Sequence, residues 1–225
     1  VNGTPGGSPV AGLPASLYTY ENGTYLSVVS TVTANDGSFT FTGISTESIF
    51  QYEAVVTFKQ VEYPSDILQF DSTETVKTIN INVYETTTGD SKIKIGLAHT
   101  VISLTVGNLD FTEAVTFENS GDRTYIGAQP AGTSGHYTVL NFTLPPNASN
   151  LVPSSGLSEN YMVATDQGFV DTSPIAPGSK AVGYNYAVAE FGKTYTYTRT
   201  TDYSIDELKI LIKGQDIIFS GTGFT

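Results

Sequence analysis

The stretch Thr33-Ala-Asn-Asp-Gly-Ser-Phe-Thr-Phe-Thr-Gly-Ile44 has the pattern of a tight turn followed by a β-strand. Asp36-Gly37 supplies residues that tolerate the backbone angles of a turn. Phe39 and Phe41 alternate with small hydroxyl residues, and in a strand this alternation directs both rings to one face. The stretch therefore predicts a small β module near the start of the chain, with both rings in its core.

Alternation of apolar and polar residues continues along the chain, whereas the spacing typical of helices is nearly missing. The segment 86–91 is polar and contains a glycine, which favours a domain boundary there. The sequence predicts an all-β protein with two tandem β-sandwich domains, residues 1–88 and 89–225. One helical turn is expected at 204–207. Strands are predicted in the first domain around 13–17, 26–32, 39–41, 52–58, 67–70 and 79–83, and in the second at 93–106, 112–117, 124–126, 136–144, 161–164, 168–171, 181–189, 194–200, 208–212 and 217–219.

Charge and composition exclude several classes of function. The formal net charge is −12, with 10 Lys and Arg among 22 Asp and Glu, so the chain lacks the basic surface that nucleic acids or anionic lipids require. There is no Cys, which excludes disulfides, thiolate metal sites and Cys catalysis. No apolar run approaches the roughly 20 residues that span a bilayer. This composition favours an exported protein, extracellular or at a cell surface.

Three segments of the first 85 residues suggest a family. They are Pro9-Val-Ala-Gly-Leu-Pro-Ala-Ser-Leu17, followed by the stretch quoted above, and the predicted strand 52–58. Residues 1–85 resemble the carboxypeptidase regulatory-like domains and the related Cna-B repeats of bacterial surface proteins, which share a transthyretin-like sandwich. The resemblance implies an extracellular scaffold without catalysis. Many Cna-B domains carry a Lys–Asn isopeptide crosslink with its Lys on an early strand, whereas the first Lys here is Lys59.

The remaining residues loosely resemble sandwich domains of bacterial envelope proteins, on the stretch Glu118-Asn-Ser-Gly-Asp-Arg-Thr-Tyr-Ile126. We expect an immunoglobulin-like sandwich there.

In the first domain, the family pattern begins with a strand before the glycine-rich turn, and most of that strand is missing after Val1. A sandwich lacking a strand exposes an edge. Either a strand from another chain covers it, or the missing strand lies in sequence before Val1.

The tail 215–225 is the candidate for such a donated strand. Ile217 and Phe219 alternate as strand addition requires. The competing interpretation is that 217–219 pairs within its own domain.

No catalytic or metal-binding constellation is predicted, and no cofactor. His99 and His136 lack the close spacing of zinc ligands. Ser134 and His136 do not fit the Gly-x-Ser-x-Gly turn of a nucleophile. The acidic loop 166–171, and Glu118 with Asp122, match no calcium-binding pattern.

Two further sets of residues are candidate sites. Tyrosines alternate near the end of the chain, and these rings form either a stacking face for sugars or part of a core. Four Asn-x-Ser/Thr sequons are candidates for glycosylation. The tyrosines are Tyr184, Tyr186, Tyr195 and Tyr197, and the sequons begin at Asn2, Asn22, Asn141 and Asn147.

The leading functional prediction is a non-enzymatic extracellular structural or adhesive module, a subunit of a surface fibre built by β-strand addition. Its partners would be other copies of itself or other surface proteins. One alternative is a carbohydrate- or peptide-binding accessory module of a secreted protein. Another is an accessory subunit of an envelope enzyme complex.

Overall fold

The computed structural model describes residues 1–105, 107–189, 194–214, 218 and 220. The predicted all-β class is confirmed, since the described elements are strands apart from one 3-10 turn at Glu159–Tyr161. The chain divides into two compact units. Unit 1 comprises Val1–Thr86 with Asp122–Thr124, and unit 2 comprises Thr87–Gly121 with Tyr125–Thr225. The division lies close to the predicted break after residue 88.

Unit 1 contains a four-stranded antiparallel sheet. Asn22 and Gly23 join the first two strands in a two-residue turn, and both have positive φ, at 49° and 78°. The alternation in the third strand places Tyr52, Ala54, Val56 and Phe58 in the core. The strands are β1 (Pro14–Glu21), β2 (Thr24–Val32), β3 (Phe50–Phe58) and β4 (Val61–Pro64), in the spatial order β2-β1-β3-β4.

The predicted strand at Phe39 and Phe41 is not formed. The turn before it is present, with the Gly37 amide donating to the Ala34 carbonyl at 2.9 Å. The residues after the turn pair with no strand in the described part of the chain, and the two rings are half-buried with centroids 5.8 Å apart. The prediction of a strand was wrong because alternation orients side chains but does not supply the neighbouring backbone that a ladder needs.

The edge expected to be open near Val1 is paired by the chain itself. The Val1 ammonium group donates to the Ile81 carbonyl at 2.7 Å, and the Val83 amide donates to the Val1 carbonyl at 2.9 Å. The Gly3 amide then donates to the Val83 carbonyl at 2.8 Å, so 1–3 run parallel to 81–83. The open edge of unit 1 therefore lies elsewhere.

Two larger sheets form unit 2. One has five strands in the order β12-β15-β7-β6-β16, and the other has three, in the order β11-β14-β13. β16 runs parallel to β6, and the other pairs are antiparallel. The strands from the unit boundary onward are β5 (Thr86–Thr87), β6 (Ile93–Thr105), β7 (Asn108–Asn119), β8 (Thr124–Tyr125), β9 (Gln129–Pro130), β10 (Tyr137–Thr138), β11 (Leu140–Thr143), β12 (Ala148–Pro153), β13 (Met162–Thr165), β14 (Gly168–Asp171), β15 (Gly178–Ala189) and β16 (Ile205–Lys213).

Aromatic side chains from the two sheets of unit 2 meet in its core. Phe142 of β11 stacks on Phe169 of β14, with centroids 4.6 Å apart. Both rings lie edge-on to Tyr184 of β15, at 5.4 and 5.2 Å. Phe117 of β7 contacts Phe142 at 5.9 Å. Edge-to-face and offset-stacked pairs at these distances are favourable beyond the area they bury.

Two predictions for the end of unit 2 were wrong. The expected helical turn at 204–207 is the start of β16, where Ile205 pairs with Ile95 of β6. The expected strand at 194–200 has no ladder partner among the residues that the structure describes. In both cases the outcome depends on a backbone distant in sequence, which local pattern does not reveal. No helix in the described ranges is long and apolar enough to cross a membrane.

Candidate functional site

The four-stranded sheet of unit 1 has β2 and β4 at its edges, and β2, a strand of nine residues, is the one whose side chains are mostly exposed. Its sequence, Thr-Tyr-Leu-Ser-Val-Val-Ser-Thr-Val, contains no charged residue and no Pro. Within the described part of the chain, β1 is its one neighbouring strand. The backbone groups on its other side therefore have no strand partner there. We call this side of Thr24–Val32, with its side chains, the β2 edge.

One face of β2 continues the core face of the sheet without being covered. Val29 lies opposite Leu17 of β1. Residues directly opposite in a ladder share a face, so Val29 lies on the same side as the buried Leu17. Leu17 is 4% exposed, whereas Val29 is 48% exposed. The packing that buries β1 therefore stops before it reaches β2.

The opposite face of β2 carries an exposed group of apolar side chains. Val28 lies opposite Tyr18, and Tyr25 lies opposite Tyr20. The Tyr25 ring contacts those of Tyr18 and Tyr20, with centroids 6.4 and 6.3 Å apart. The register shift in this ladder leaves Leu26 without an opposite residue, as in a β-bulge. The regular part of the edge is therefore 27–32.

The chemistry of the β2 edge suits addition of another strand. Natural proteins usually protect an edge strand with charged side chains, Pro, bulges or short length, because unpaired backbone groups are a template for pairing. β2 has one bulge near its start, but from Ser27 to Val32 it has no such protection. An extended segment pairing there would gain main-chain hydrogen bonds and would cover apolar side chains on both faces.

The candidate stacking face is not an exposed platform. Tyr184 and Tyr186 are each 4% exposed. Phe111 stacks on Tyr186 with centroids 4.6 Å apart, and the half-buried rings of Tyr195 and Tyr197 lie 6.1 and 5.6 Å from Phe111. These rings therefore form part of the core of unit 2.

A buried charged group in the same core was missed by sequence reasoning. Glu113 of β7 is 2% exposed. Its carboxylate lies 2.8 Å from Nη1 of Arg199 and accepts hydrogen bonds from the hydroxyls of Thr100 and Tyr197, at 2.7 and 3.2 Å. Burial opposes the charge of Arg199, yet the Glu113 carboxylate raises its pKa overall. Glu113 follows Phe111 by two residues in β7, so the two side chains share a face of the strand. This spacing was the signal in the sequence that Glu113 is buried.

The members of this cluster make further hydrogen bonds with one another. Arg199 donates to Glu113 and to the Thr100 hydroxyl, and the Tyr186 hydroxyl donates to Glu113 at 3.4 Å. A buried ion pair with hydrogen-bonded partners holds together segments that are distant in sequence, because breaking it would leave an uncompensated buried charge. A second buried carboxylate, Asp171, is likewise engaged by Lys180 at 2.6 Å.

Of the residues considered for catalysis, Ser134 and His136 contact each other through the backbone, where the His136 amide donates to the Ser134 hydroxyl at 3.2 Å. The Ser134 hydroxyl donates to the Ala131 carbonyl at 2.7 Å, and His136 is exposed. His99 lies in β6, half-buried, and its Nε2 has no hydrogen-bond partner among the described residues. Glu118 pairs with Lys94 at 3.2 Å. Among the described residues, no three His, Asp or Glu side chains are grouped as a metal site would require.

The sequons occupy contrasting positions. Asn22 and Asn147 are exposed in turns, with φ of 49° and 64°. Asn2 is half-buried, and Asn141 is exposed but lies within the strand β11.

The predicted donor residues Ile217 and Phe219 lie outside the described residues, and Ile218 between them is 96% exposed. No protein-family model matches the chain, and no curated protein matches it. The likeness of 1–85 to carboxypeptidase regulatory-like domains therefore stays a prediction.

Proposed function

We propose that this chain is a non-enzymatic structural or adhesive module of a cell surface, which assembles by adding a strand of a second copy to the β2 edge. The observation that carries the proposal is the long, uncharged β2 edge, exposed on both faces. Exposed apolar edges of this kind are sites of pairing between chains. The proposal includes a transthyretin-like sandwich for unit 1 and an immunoglobulin-like sandwich for unit 2.

The proposed donor is the tail 215–225 of the second copy. Asp216 is its one charged side chain, and Ile217, Ile218, Phe219 and Phe224 are apolar. A strand rises about 3.3 Å per residue, so nine of these eleven residues would span about 30 Å, the length of β2.

Charge favours this pair of segments. The chain carries a formal net charge of −12, which opposes contact between most parts of two copies. The β2 strand has no charge and the tail has one carboxylate, so little repulsion arises where they would meet. Donation from one copy to the next gives a filament unless the rotation between copies closes a ring.

The alternative of a carbohydrate-binding module has less support. It relied on an exposed tyrosine platform, and Tyr184 and Tyr186 are buried. The extracellular location is part of this proposal, and the composition of the chain supports it.

A pair of lysine substitutions tests the β2 edge. Val29→Lys places a charge on the strand that would receive the donor. Leu211→Lys is the matched control, because Leu211 is also an exposed apolar residue of a nine-residue edge strand, at 54% against 48% exposure. We expect the wild type and the control to assemble, and Val29→Lys to remain monomeric, in light scattering coupled to size-exclusion chromatography. A monomeric wild type, or assembly of Val29→Lys at the wild-type level, would reject the proposal.

Deletion of 215–225 tests the donor. The deleted protein should be a folded monomer, and a synthetic peptide of 215–225 should bind it but not its Val29→Lys variant. Assembly of the deleted protein that is still blocked by Val29→Lys would identify another donor, such as β2 of a second copy, and would exclude the tail.

A further inference from the structure

The four sequons differ in whether their reacting groups are free. In N-linked glycosylation the side-chain nitrogen of Asn is the nucleophile, and the Ser or Thr hydroxyl two residues later completes the recognised motif. Both groups must be accessible on a folded acceptor. We propose that the folded protein carries N-linked glycans at Asn22 and Asn147, and none at Asn2 and Asn141.

Asn22 has the most open surroundings. It lies at the tip of the turn between β1 and β2, with positive φ and an exposed side chain. Thr24, which completes its sequon, is also exposed. Asn22 lies between the last residue of β1 and the first of β2, outside both strands, and its side chain is exposed at that end of the sheet. A transferase can therefore approach both groups without opening the ladder.

Asn147 has the same local conformation in unit 2. Its φ is 64°, it is exposed, and it immediately precedes β12. Ser149, which completes the sequon, is exposed, and its hydroxyl makes one long contact of 3.3 Å with the Ala187 carbonyl. The amide and the hydroxyl are thus both within reach of solvent.

The groups of Asn2 are already used. Its side-chain nitrogen donates to the Ser8 carbonyl at 2.9 Å and to the Glu85 carboxylate at 3.4 Å. Thr4 is 3% exposed, and its hydroxyl donates to the Asp122 carbonyl at 2.7 Å. Modification would require both residues to leave these contacts.

Asn141 is held in a ladder. Its backbone is paired opposite Val170 in the sheet β11-β14-β13, and its side-chain nitrogen donates to the Asp202 carboxylate at 2.9 Å. A charge-assisted hydrogen bond of this length is among the stronger polar contacts in a protein. Asn141 and Thr143 are both exposed, so what sets this sequon apart is that the acceptor nitrogen is engaged by Asp202 and its backbone is held in the sheet.

The reaction needs a lipid-linked oligosaccharide and an oligosaccharyltransferase. The Asn Nδ2 atom forms a bond to the anomeric carbon of the first sugar, and the bond from that carbon to the lipid pyrophosphate breaks. The amide nitrogen loses one proton to a base of the transferase, and the lipid pyrophosphate is the leaving group. No oxidant or reductant takes part.

The glycosylation sites are proposed independently of strand addition. One consequence of a glycan at Asn22 does rest on the proposed function. A glycan at Asn22 lies at the start of the β2 edge, next to Thr24 and Tyr25. It would limit an added strand to the regular part of the edge, 27–32.

The test uses the folded full-length chain, a purified oligosaccharyltransferase and its lipid-linked donor. Occupancy at each sequon is read by peptide mass spectrometry. Four synthetic peptides, one for each sequon, are the control for acceptance of the bare sequence. We expect all four peptides to be modified and the folded chain to be modified at Asn22 and Asn147 only. Thr24→Ala and Ser149→Ala should each remove one of the two glycans.

Two results would overturn the assignment. One is modification of Asn2 or Asn141 in the folded chain to the extent seen in the peptides. The other is lack of modification at Asn22 or Asn147 when the matching peptide is accepted. Assembly plays no part in either readout, so failure of the glycan assignment and failure of strand addition are distinguishable.

Discussion

The two units each contain a nine-residue edge strand, and the two strands have opposite chemistry. β16 in unit 2 carries Asp206, Glu207, Lys209 and Lys213, whereas β2 in unit 1 has no charge. Three of the β16 charges take part in two ion pairs, Lys94–Asp206 at 2.5 Å with the neighbouring strand and Lys209–Glu207 at 2.9 Å within β16. Charged side chains oppose the approach of another strand, so β16 is a protected edge and β2 is not.

The side chains of β16 are also better buried than those of β2. Leu208, Ile210 and Ile212 of β16 are partly buried against the core of unit 2. On β2, Val29 lies on the core face and is still 48% exposed. Two independent features protect an edge strand from pairing with another chain. One is packing of its inner face against a core, and the other is charged side chains along the strand. β2 lacks both.

The largest effect is expected from alanine substitutions at Leu17 and Val29, which lie opposite each other on one face of the sheet. Leu17→Ala should lower the free energy of unfolding of unit 1 by about 2–5 kcal/mol, because it leaves a cavity in a packed core. Val29→Ala should change it by no more than about 0.5 kcal/mol, as at other surface positions. Hydrogen exchange of β3 amides in monomeric protein measures both values. Comparable losses in the two variants would mean that β2 is covered.

An intermediate effect is expected at alkaline pH in unit 2. Burial, with the Glu113 charge as the second cause, raises the pKa of Tyr184 and Tyr186 well above the ordinary value near 10. Above pH 10 the unfolded chain loses tyrosine protons that the folded chain keeps. The unfolded state then binds fewer protons, so the free energy of unfolding falls as pH rises. The stability that these two protonated hydroxyls contribute is complete below about pH 10 and is lost as the pH rises above it.

Tyr186→Phe isolates this effect, and Tyr137→Phe is its control because Tyr137 is 51% exposed. We expect Tyr186→Phe to flatten the fall in stability above pH 10, and Tyr137→Phe to leave the slope unchanged. Unfolding is followed by hydrogen exchange of β7 amides, with tyrosine ionisation followed by ultraviolet absorbance. Equal slopes for the wild type and Tyr186→Phe would show that the buried hydroxyl does not control the alkaline limit.

The smallest effect is expected from the charges of the protected edge. Asp206→Asn removes the partner of Lys94 in a pair whose side chains are 37% and 52% exposed. Exposed pairs contribute little, so the Tm should stay within about 2 °C of the wild-type value in calorimetry. A larger drop would mean that β16 carries its charges for stability, and the contrast with β2 would lose its basis.

Local chemistry was sufficient for much of the fold. Asn22-Gly23 forms the two-residue turn that such a pair favours, and the alternation of 52–58 places its apolar residues in the core. The strand Gly168–Asp171 has the predicted bounds. Turns and the facing of side chains depend on residues close in sequence, and these can be read without a structure.

The candidate site was harder to predict. The sequence indicated an open edge and located it near Val1, whereas that segment pairs with 81–83 and the open edge is β2. Glu113 was in phase with buried aromatics, but its partner Arg199 lies 86 residues away. Partners so far apart are joined by the folded chain alone.

The sequence by itself determined an all-β protein that is acidic, free of Cys and rich in turns, because composition, turn residues and period-two alternation are local properties. Only the tertiary structure decided which alternating segments found a ladder partner, which tyrosines became core, and which strand was left uncovered. Phe39 and Phe41 have the alternation of a strand, but their backbone has no ladder partner among the described residues. Val29 has a core-facing position, but its side chain is 48% exposed. The physical reason is that burial depends on what packs against a residue, and that neighbour is supplied by distant parts of the chain.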